Sequence, residues 1–593
     1  MKTTWQNPPT LLLITGLSLA GLSLSLPQIA LSQSPPPSSL PHPESLIANF
    51  TDDLAEADQL FEQVEQLYDQ GKYNEAIPLA ERMLRLYQNV HGEDHLDISY
   101  SLNYLGLLYQ NQGRYEQAEP FYRQALEMYK RLLGEEHPDV AASLHNLAAL
   151  YDSQGRYSDA EPLFRQALQM LKRLLGEEHP DVAISLNNLA NLYSSQGRYS
   201  DAEPLYRQAL EMKKRLLGEE HPSVATSLNN LALLYQSQGR YSEAEPLYLQ
   251  ALEMRKRLLG EEHPDVANSL HNLALLYQNQ GRYSEAEPLY RQALEMRKRL
   301  LGEEHPSVAS SLHNLANLYS SQGRYSDAEP LLRQALEMYK RLLGEEHPDV
   351  ATSLHNLAFL YSSQGRYSDA EPLYRQALEM DKRLLGEEHP DVASSLNNLA
   401  LLYQSQGRYS DAEPLYRQAL EMRKRLLGEE HPSVATSLNN LALLYQSQGR
   451  YSDAEPLYRQ ALEMKKRLLG EEHPDVATSL NDLAFLYSSQ GRYSEAEPLY
   501  RQALAMRKRL LGEEHPDVAT SLNNLALLYQ GQERYSDAEP LYVQALAMRK
   551  RLLGEEHPLV ALSLNNLAGL YQSQGRYSEA EPLLRQALEM YRR

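Results

Sequence analysis

The chain has 593 residues, 57 Lys and Arg against 79 Asp and Glu, a formal net charge of −22 and no cysteine. The missing thiols exclude disulfides, thiolate metal sites and cysteine catalysis, and an acidic chain without a basic block lacks the electrostatic footprint of a nucleic-acid binder. Tyr numbers 41 and Phe only 6, the skew expected of one short motif copied many times.

In chain order, Lys2 precedes an apolar run from Leu11 to Leu26, closed by Pro27 and followed by Ala30-Leu31-Ser32. A charged start, an apolar stretch and a small-x-small exit predict a signal peptide over residues 1–32, or an uncleaved membrane anchor, and hence an exported protein. Residues 33–50, with Pro35-Pro36-Pro37, Pro41 and Pro43, read as a Pro/Ser-rich spacer.

The rest, 51–593, is a repeat. Gly-Glu-Glu-His-Pro begins at Gly134 and returns every 42 residues to Gly554, with Gly92-Glu93-Asp94-His95 as a weaker copy upstream. Gly-Arg-Tyr keeps the same beat from Gly113 to Gly575, with Glu533 once in place of the glycine. Counted from Ala57, the chain holds twelve full units and a shorter thirteenth, and a regular period of this length signals a solenoid.

In the unit Ala225–Val266, Leu228, Leu231, Ala232 and Tyr235 fall on one helical face. Ser223 or Asp265 after the proline is the expected N-cap, and Gly239 supplies a left-handed stop. Ser242-Glu243-Ala244-Glu245 has the pattern of a capping box for a second helix carrying Ala244, Leu247, Tyr248, Ala251 and Leu252. Each connector predicts a helix end capped by Gly and His. One unit cannot bury enough apolar surface to fold alone, so the fold class is an all-α superhelical solenoid of helix–turn–helix units.

The spacing of Leu228, Leu231, Ala232, Tyr235, Ala244, Tyr248 and Ala251 resembles the tetratricopeptide repeat, and the 42-residue period with its Gly-Glu-Glu-His-Pro connector is similar to the kinesin light chain variety. The resemblance implies binding of proteins or extended peptide segments in a concave groove. On a helical wheel Thr226, Asn229, Asn230, Leu233, Gln236 and Ser237 lie away from the apolar face, and in this family such columns line the groove. The groove candidates are therefore Asn146, Asn188, Asn230, Asn272, Asn314, Asn356, Asn398, Asn440, Asp482, Asn524 and Asn566. These amides can donate to and accept from a peptide backbone, bridge neighbouring helices, or stand idle in solvent as residues copied by duplication. No Lys or Arg occupies these columns from Ala141 onward, which favours a neutral or mildly basic ligand. His271, His313 and His355 beside them would charge the groove near pH 6.5 if unperturbed.

No phosphate-binding glycine loop, His-Glu-x-x-His helix or nucleophile–base pattern occurs, so neither catalysis, cofactor, metal nor small-molecule substrate is expected. The reading is a non-enzymatic protein-binding scaffold. The alternatives are a structural spacer that self-associates through its solenoid ends and a cytoplasmic adaptor resembling kinesin light chain.

Overall fold

The computed structural model describes residues 44–592, with the side chains of 44–51 and 592 outside that description. The expected signal peptide and most of the expected spacer therefore lie outside the described residues. Among these, every regular element is a helix, and the helices alternate as an A helix and a B helix in thirteen pairs. The first pair is α1 (Glu44–Asp69) and α2 (Tyr73–His91), and the second begins with α3 (Leu96–Asn111). A typical unit is α9 (Pro222–Ser237) followed by α10 (Tyr241–Leu259), then α11 (Pro264–Asn279) opens the next, and α26 (Tyr577–Arg592) is the last B helix. None of the helices is long and apolar enough to cross a membrane.

Most predicted core positions are buried: Leu228, Leu231, Ala232 and Tyr235 of α9 pack with Ala244, Tyr248, Ala251 and Leu252 of α10. Both ends of the apolar stripe carry polar anchors. Tyr248 donates its hydroxyl hydrogen to Gln236 Oε1 at 3.0 Å, and Tyr235 donates to Glu203 of the preceding B helix at 3.1 Å. The arginine of Gly-Arg-Tyr completes this joint. Arg240 lies 4.0 Å over the Tyr235 ring and pairs with both Glu203 and Glu243.

Three caps differ from the sequence reading. His221 and His263, not Ser223 and Asp265, are the N-caps: each sits in extended backbone and its Nδ1 accepts the N–H of the residue two on, with the proline at the first helical position. The histidine thus opens the following helix instead of closing the previous one, which ends on Gly260, whose N–H bonds Lys256 O at φ +86°. The Ser242–Glu245 capping box does not form. α10 begins at Tyr241 on Arg240, whose side chain makes no capping bond, and Glu243 N–H and Ala244 N–H bond the Arg240 carbonyl.

Successive turns of the superhelix touch. His473 Nε2 lies 3.2 Å from the Ser237 carbonyl oxygen at the end of α9, 236 residues earlier, between five and six repeats back. Its Nδ1 already accepts the Asp475 N–H, so the ring is neutral with its hydrogen on Nε2, donating to Ser237. The same contact joins His305 to Asp69, His347 to Asn111, His389 to Ser153 and His515 to Asn279, and His431 and His557 reach the Ser195 and Ser321 backbones. Beside each latch the proline of the later repeat covers the glycine of the earlier one. A Cβ on Gly239 would stand 2.4 Å from Pro474 Cδ, and one on Gly113 2.3 Å from Pro348 Cδ. Glycine is needed there twice over, for the positive φ and for the proline seat.

Candidate functional site

The A helices present the candidate columns, and the structure divides them. Thr226, Leu233 and Ser237 are half-exposed, whereas Asn229, Asn230 and Gln236, expected to face away from the core, are buried. The asparagine ladder runs along the solenoid and is bonded within it. Asn230 Nδ2 donates to Asn187 Oδ1 at 3.0 Å, and Asn272 to Asn229, Asn440 to Asn397, Asn524 to Asn481 and Asn566 to Asn523 repeat the bond. Where histidine replaces the acceptor asparagine, Asn314 faces His271 Nε2 and Asn356 faces His313 Nε2 at 2.6 Å. Asp482 reverses the polarity, accepting from Asn439 at 2.9 Å, and burial pushes its carboxyl above the ordinary range. Asn146, Asn356, Asn398 and Asn566 are half-buried, while Asn188, Asn230, Asn272, Asn314, Asn440, Asp482 and Asn524 are buried. Ladder bonds therefore join consecutive A helices from Asn187 to Asn356 and from Asn397 to Asn566. At the breaks, His145 and His355 turn to Ser185 and Ser395 instead. His313 is pushed down to about 4 by burial, so it does not become the groove charge near pH 6.5 that the sequence suggested.

What the wheel left out comes from the B helices. Lys213, Arg255, Arg297, Arg423, Lys465, Arg507 and Arg549 occupy one B-helix column, and all are buried. Arg255 threads between two A helices. Its Nη1 donates to Ser269 Oγ at 2.8 Å and to the Asp265 carbonyl at 3.2 Å, and its Nη2 to Thr226 Oγ1 at 3.3 Å. Arg297 makes the same three bonds to Ser311, Ser307 and Asn268, as Arg549 does to Ser563, Leu559 and Thr520. All these acceptors are neutral. The surface arginines, by contrast, pair with glutamates, as Arg257 does with Glu220. Burial pushes Arg297, Arg423 and Arg549 down to about 10 and Lys213 down to about 8, which leaves all four charged at neutral pH. These cations stand directly behind the half-exposed Thr226 column. In sequence they hide in basic runs, Glu-Met-Arg-Lys-Arg at Arg255, Arg297 and Arg423 and close variants of it elsewhere, which read as solvated helix ends.

The column breaks at Tyr339 and Asp381. Asp381 Oδ2 lies 3.2 Å from His355 Nε2, and Ser395 Oγ lies 2.6 Å from the same nitrogen. A serine–histidine–aspartate relay needs its carboxylate on the opposite ring nitrogen from the serine. Here both address Nε2, and Ser395 is buried, so the trio is a core polar cluster. A second cluster sits at the first connector, between α2 and α3. Asp97 Oδ2 is 3.3 Å from His91 Nε2 and 3.1 Å from His95 Nδ1, and the two imidazoles stack in parallel at 3.7 Å. Parallel rings aim their lone pairs side by side, and His95 Nδ1 also caps α3 through the Asp97 N–H.

The half-exposed strip varies most in the Leu233 column: Ala149, Asn191, Leu233, Leu275, Asn317, Phe359, Leu401, Leu443, Phe485, Leu527 and Gly569. Phe485 is 41% exposed. The strip is thus apolar with amide interruptions, bordered by Thr and Ser hydroxyls, over a row of cations.

Comparison with known proteins places these features in a family. The tetratricopeptide repeat profile matches in twelve overlapping segments, from residues 62–131 through 265–341 to 517–593. No curated protein matches the sequence. Among solved structures, the chain is similar to BtubC (BKLC) from P. vanneervenii, at 29% identity over 38% of this chain and 89% of that one, with a TM-score of 0.31. A Podosopora anserina kinesin light chain with nearly identical TPR-like repeats is 34% identical over 35% of this chain and 98% of its own, with a TM-score of 0.30. A Rap protein complexed with competence and sporulation factor is 16% identical over 63% of this chain and 99% of its own, with a TM-score of 0.43. With the repeat profile spanning 62–593 and thirteen helix pairs in the fold, the chain belongs to the tetratricopeptide repeat family.

Proposed function

We propose that the protein is a non-enzymatic scaffold that holds an extended segment of another protein along its A helices, and that this segment is acidic. The observation that carries the reading is the row of buried cations with neutral partners behind the Thr226 and Leu233 columns. A guanidinium hydrogen-bonded only to hydroxyls and carbonyls keeps its charge. Asp265, Asp391 and Asp517 offset that charge in part at Arg255, Arg423 and Arg549, as Asp482 does at Lys465 and Arg507. Low surrounding polarizability projects the remainder onto the nearest wetted surface. The A-helix columns taken alone favour a neutral or mildly basic ligand, and the B-helix cations reverse that preference. Leucine and phenylalanine of the strip supply apolar contact, while the ladder asparagines stay engaged with one another. Export through residues 1–32 belongs to the same proposal and is tested by the mature N-terminus: cleavage near Ser32 supports it, and an intact Met1 on soluble protein would oppose it.

The binding reading is tested with two fluorescent peptides of equal length, one of alternating Glu and Leu, one of alternating Lys and Leu. The acidic peptide should bind at least 10-fold more tightly, lose affinity as salt rises, and lose it again when Arg255, Arg297, Arg507 and Arg549 are all changed to Leu. Tighter binding of the basic peptide, or no effect of the four substitutions on a folded protein, would sink the reading.

A further inference from the structure

The contact between turns has two halves, and the described residues leave both unmated at opposite ends of the superhelix. Gly71, Gly113, Gly155, Gly197, Gly239 and Gly281 are buried, each under the proline of a later repeat. Gly365, Gly407, Gly449, Gly491 and Gly575 have the same positive φ but are exposed, with nothing within 4 Å of where a Cβ would stand. The histidine half shows the converse. The side chains of His347, His389 and His515 are 7%, 5% and 7% exposed, whereas those of His137, His179 and His263 are 37%, 36% and 37% exposed. The compared glycines and histidines sit in closely similar motifs, so what distinguishes these residues is whether a neighbouring turn lies against them.

We propose that a second copy of this chain docks head to tail and continues the superhelix, its first turn seated on the last turn of its neighbour. Placed thirteen repeats on, the second copy brings its Pro138, Pro180, Pro222 and Pro264 over Gly449, Gly491, Glu533 and Gly575. Its exposed imidazoles then reach the free carbonyls at the ends of the A helices, as His473 reaches Ser237 within one chain. The occupant follows from continuity with an interface the fold already repeats seven times. The interface is heterologous and does not close on itself, so growth is open-ended. Of these four positions Glu533 is the one mismatch, because it puts a side chain where every mated position has glycine, and one repeat before them Gly407 would meet Leu96 in place of a proline. It holds φ +61° without a turn against it, which shows that this helix end accepts glutamate when unmated.

Glu533 also supplies the variants for the test. Sedimentation velocity of the full chain over a concentration series should show species growing by one chain at a time. Glu533→Gly should strengthen association by 10-fold or more. Gly449→Glu with Gly491→Glu, copying the native Glu533 arrangement, should weaken it by at least as much while circular dichroism stays unchanged. A parent and a Glu533→Gly variant that both remain monomeric at all concentrations would overturn the proposal. So would association that stops at a closed dimer or ignores the double glutamate variant. This surface is separate from the A-helix strip, so either proposal can fail without the other.

Discussion

Ser237 and His473 are 236 residues apart in the chain and 3.2 Å apart in space, and the hydrogen bond between them fixes how tightly the superhelix is wound. A helix carbonyl at its C-terminal end lacks an intrahelical partner. The imidazole that caps one A helix through Nδ1 satisfies another through Nε2, so a single neutral side chain serves two helix ends on adjacent turns.

Two glycines in identical local sequence isolate the contribution of this contact. Residues 225–242 and 435–452 have the same sequence, yet Gly239 lies under Pro474 and Gly449 lies open. Alanine at either position meets the left-handed backbone penalty of about 1–2 kcal/mol. At Gly239 it also meets the proline, which adds roughly 1–3 kcal/mol of overpacking. Thermal melts in dilute solution should therefore rank Gly239→Ala below Gly449→Ala, and equal melting temperatures would contradict the turn-to-turn contact.

Acid should loosen the latches before it harms the repeats. Burial pushes His431 and His557 down to about 4, helped by Arg423 and Arg549 and opposed by the Ser195 and Ser321 backbones. Burial lowers His305, His473 and His515 as well. An unfolded imidazole takes its proton near pH 6.5, and the folded one resists to about 4. The stabilisation is thus complete above about pH 6.5 and declines between about 6.5 and 4. Glu203 and Glu371, held below the ordinary carboxylate range by arginine and tyrosine bonds that outweigh burial, respond only at lower pH. Hydrogen exchange at pH 7 and 5, corrected for intrinsic rates, should show faster opening at the Ser433 and Leu559 amides, which His431 and His557 cap through Nδ1. Changing His431 and His557 to Asn, which caps without titrating, should flatten that difference. A difference unchanged in the variant would point to other groups.

The buried arginines need not stabilise the fold. Leu171 and Tyr339 occupy the same column as Arg297, so the site between A helices accepts apolar side chains. Ser311 Oγ also bonds the Ser307 carbonyl and is not orphaned by loss of the guanidinium. Arg297→Leu should leave the melting temperature unchanged or raise it, and Arg297→Ala, which opens a cavity, should cost roughly 2–3 kcal/mol. A large loss for the leucine variant would show that the charge itself holds the helices.

The asparagine ladder predicts the opposite balance. Asn272, Asn314 and Asn356 bond to Asn229, His271 and His313 of the preceding repeat. Changing all three to Ala should lower stability by about 0.5–1.5 kcal/mol per lost bond, read by denaturant unfolding. A triple variant as stable as the parent would return these amides to the list of ligand contacts.

The 42-residue beat, the apolar stripe of Leu228, Leu231, Ala232 and Tyr235, and the left-handed Gly239 were legible in sequence because each depends on neighbours within one unit. The histidine caps were not: rules for N-caps favour Ser and Asp, and Pro222 at the first helical position moves the helix start back by two residues so that His221 takes the cap. Asn230 looked solvent-facing because a wheel shows one helix, and its partner Asn187 lies on the helix of the preceding unit. Arg255 looked solvated because its neighbours Lys256 and Arg257 are, yet its side chain turns inward to Ser269. The Ser237–His473 contact sums small rotations over more than five repeats, which no local pattern encodes.

Because the chain has no cysteine, two introduced cysteines can be spin-labelled without interference. Labels at Gln238 and Glu471 flank the Ser237–His473 latch on adjacent turns, and double electron–electron resonance reads the distance between them. The closed superhelix predicts a single narrow distribution at short distance at pH 7, broadening when Gly239→Ala is introduced. A broad distribution centred at long distance in the parent, with helical content intact, would contradict contact between the turns.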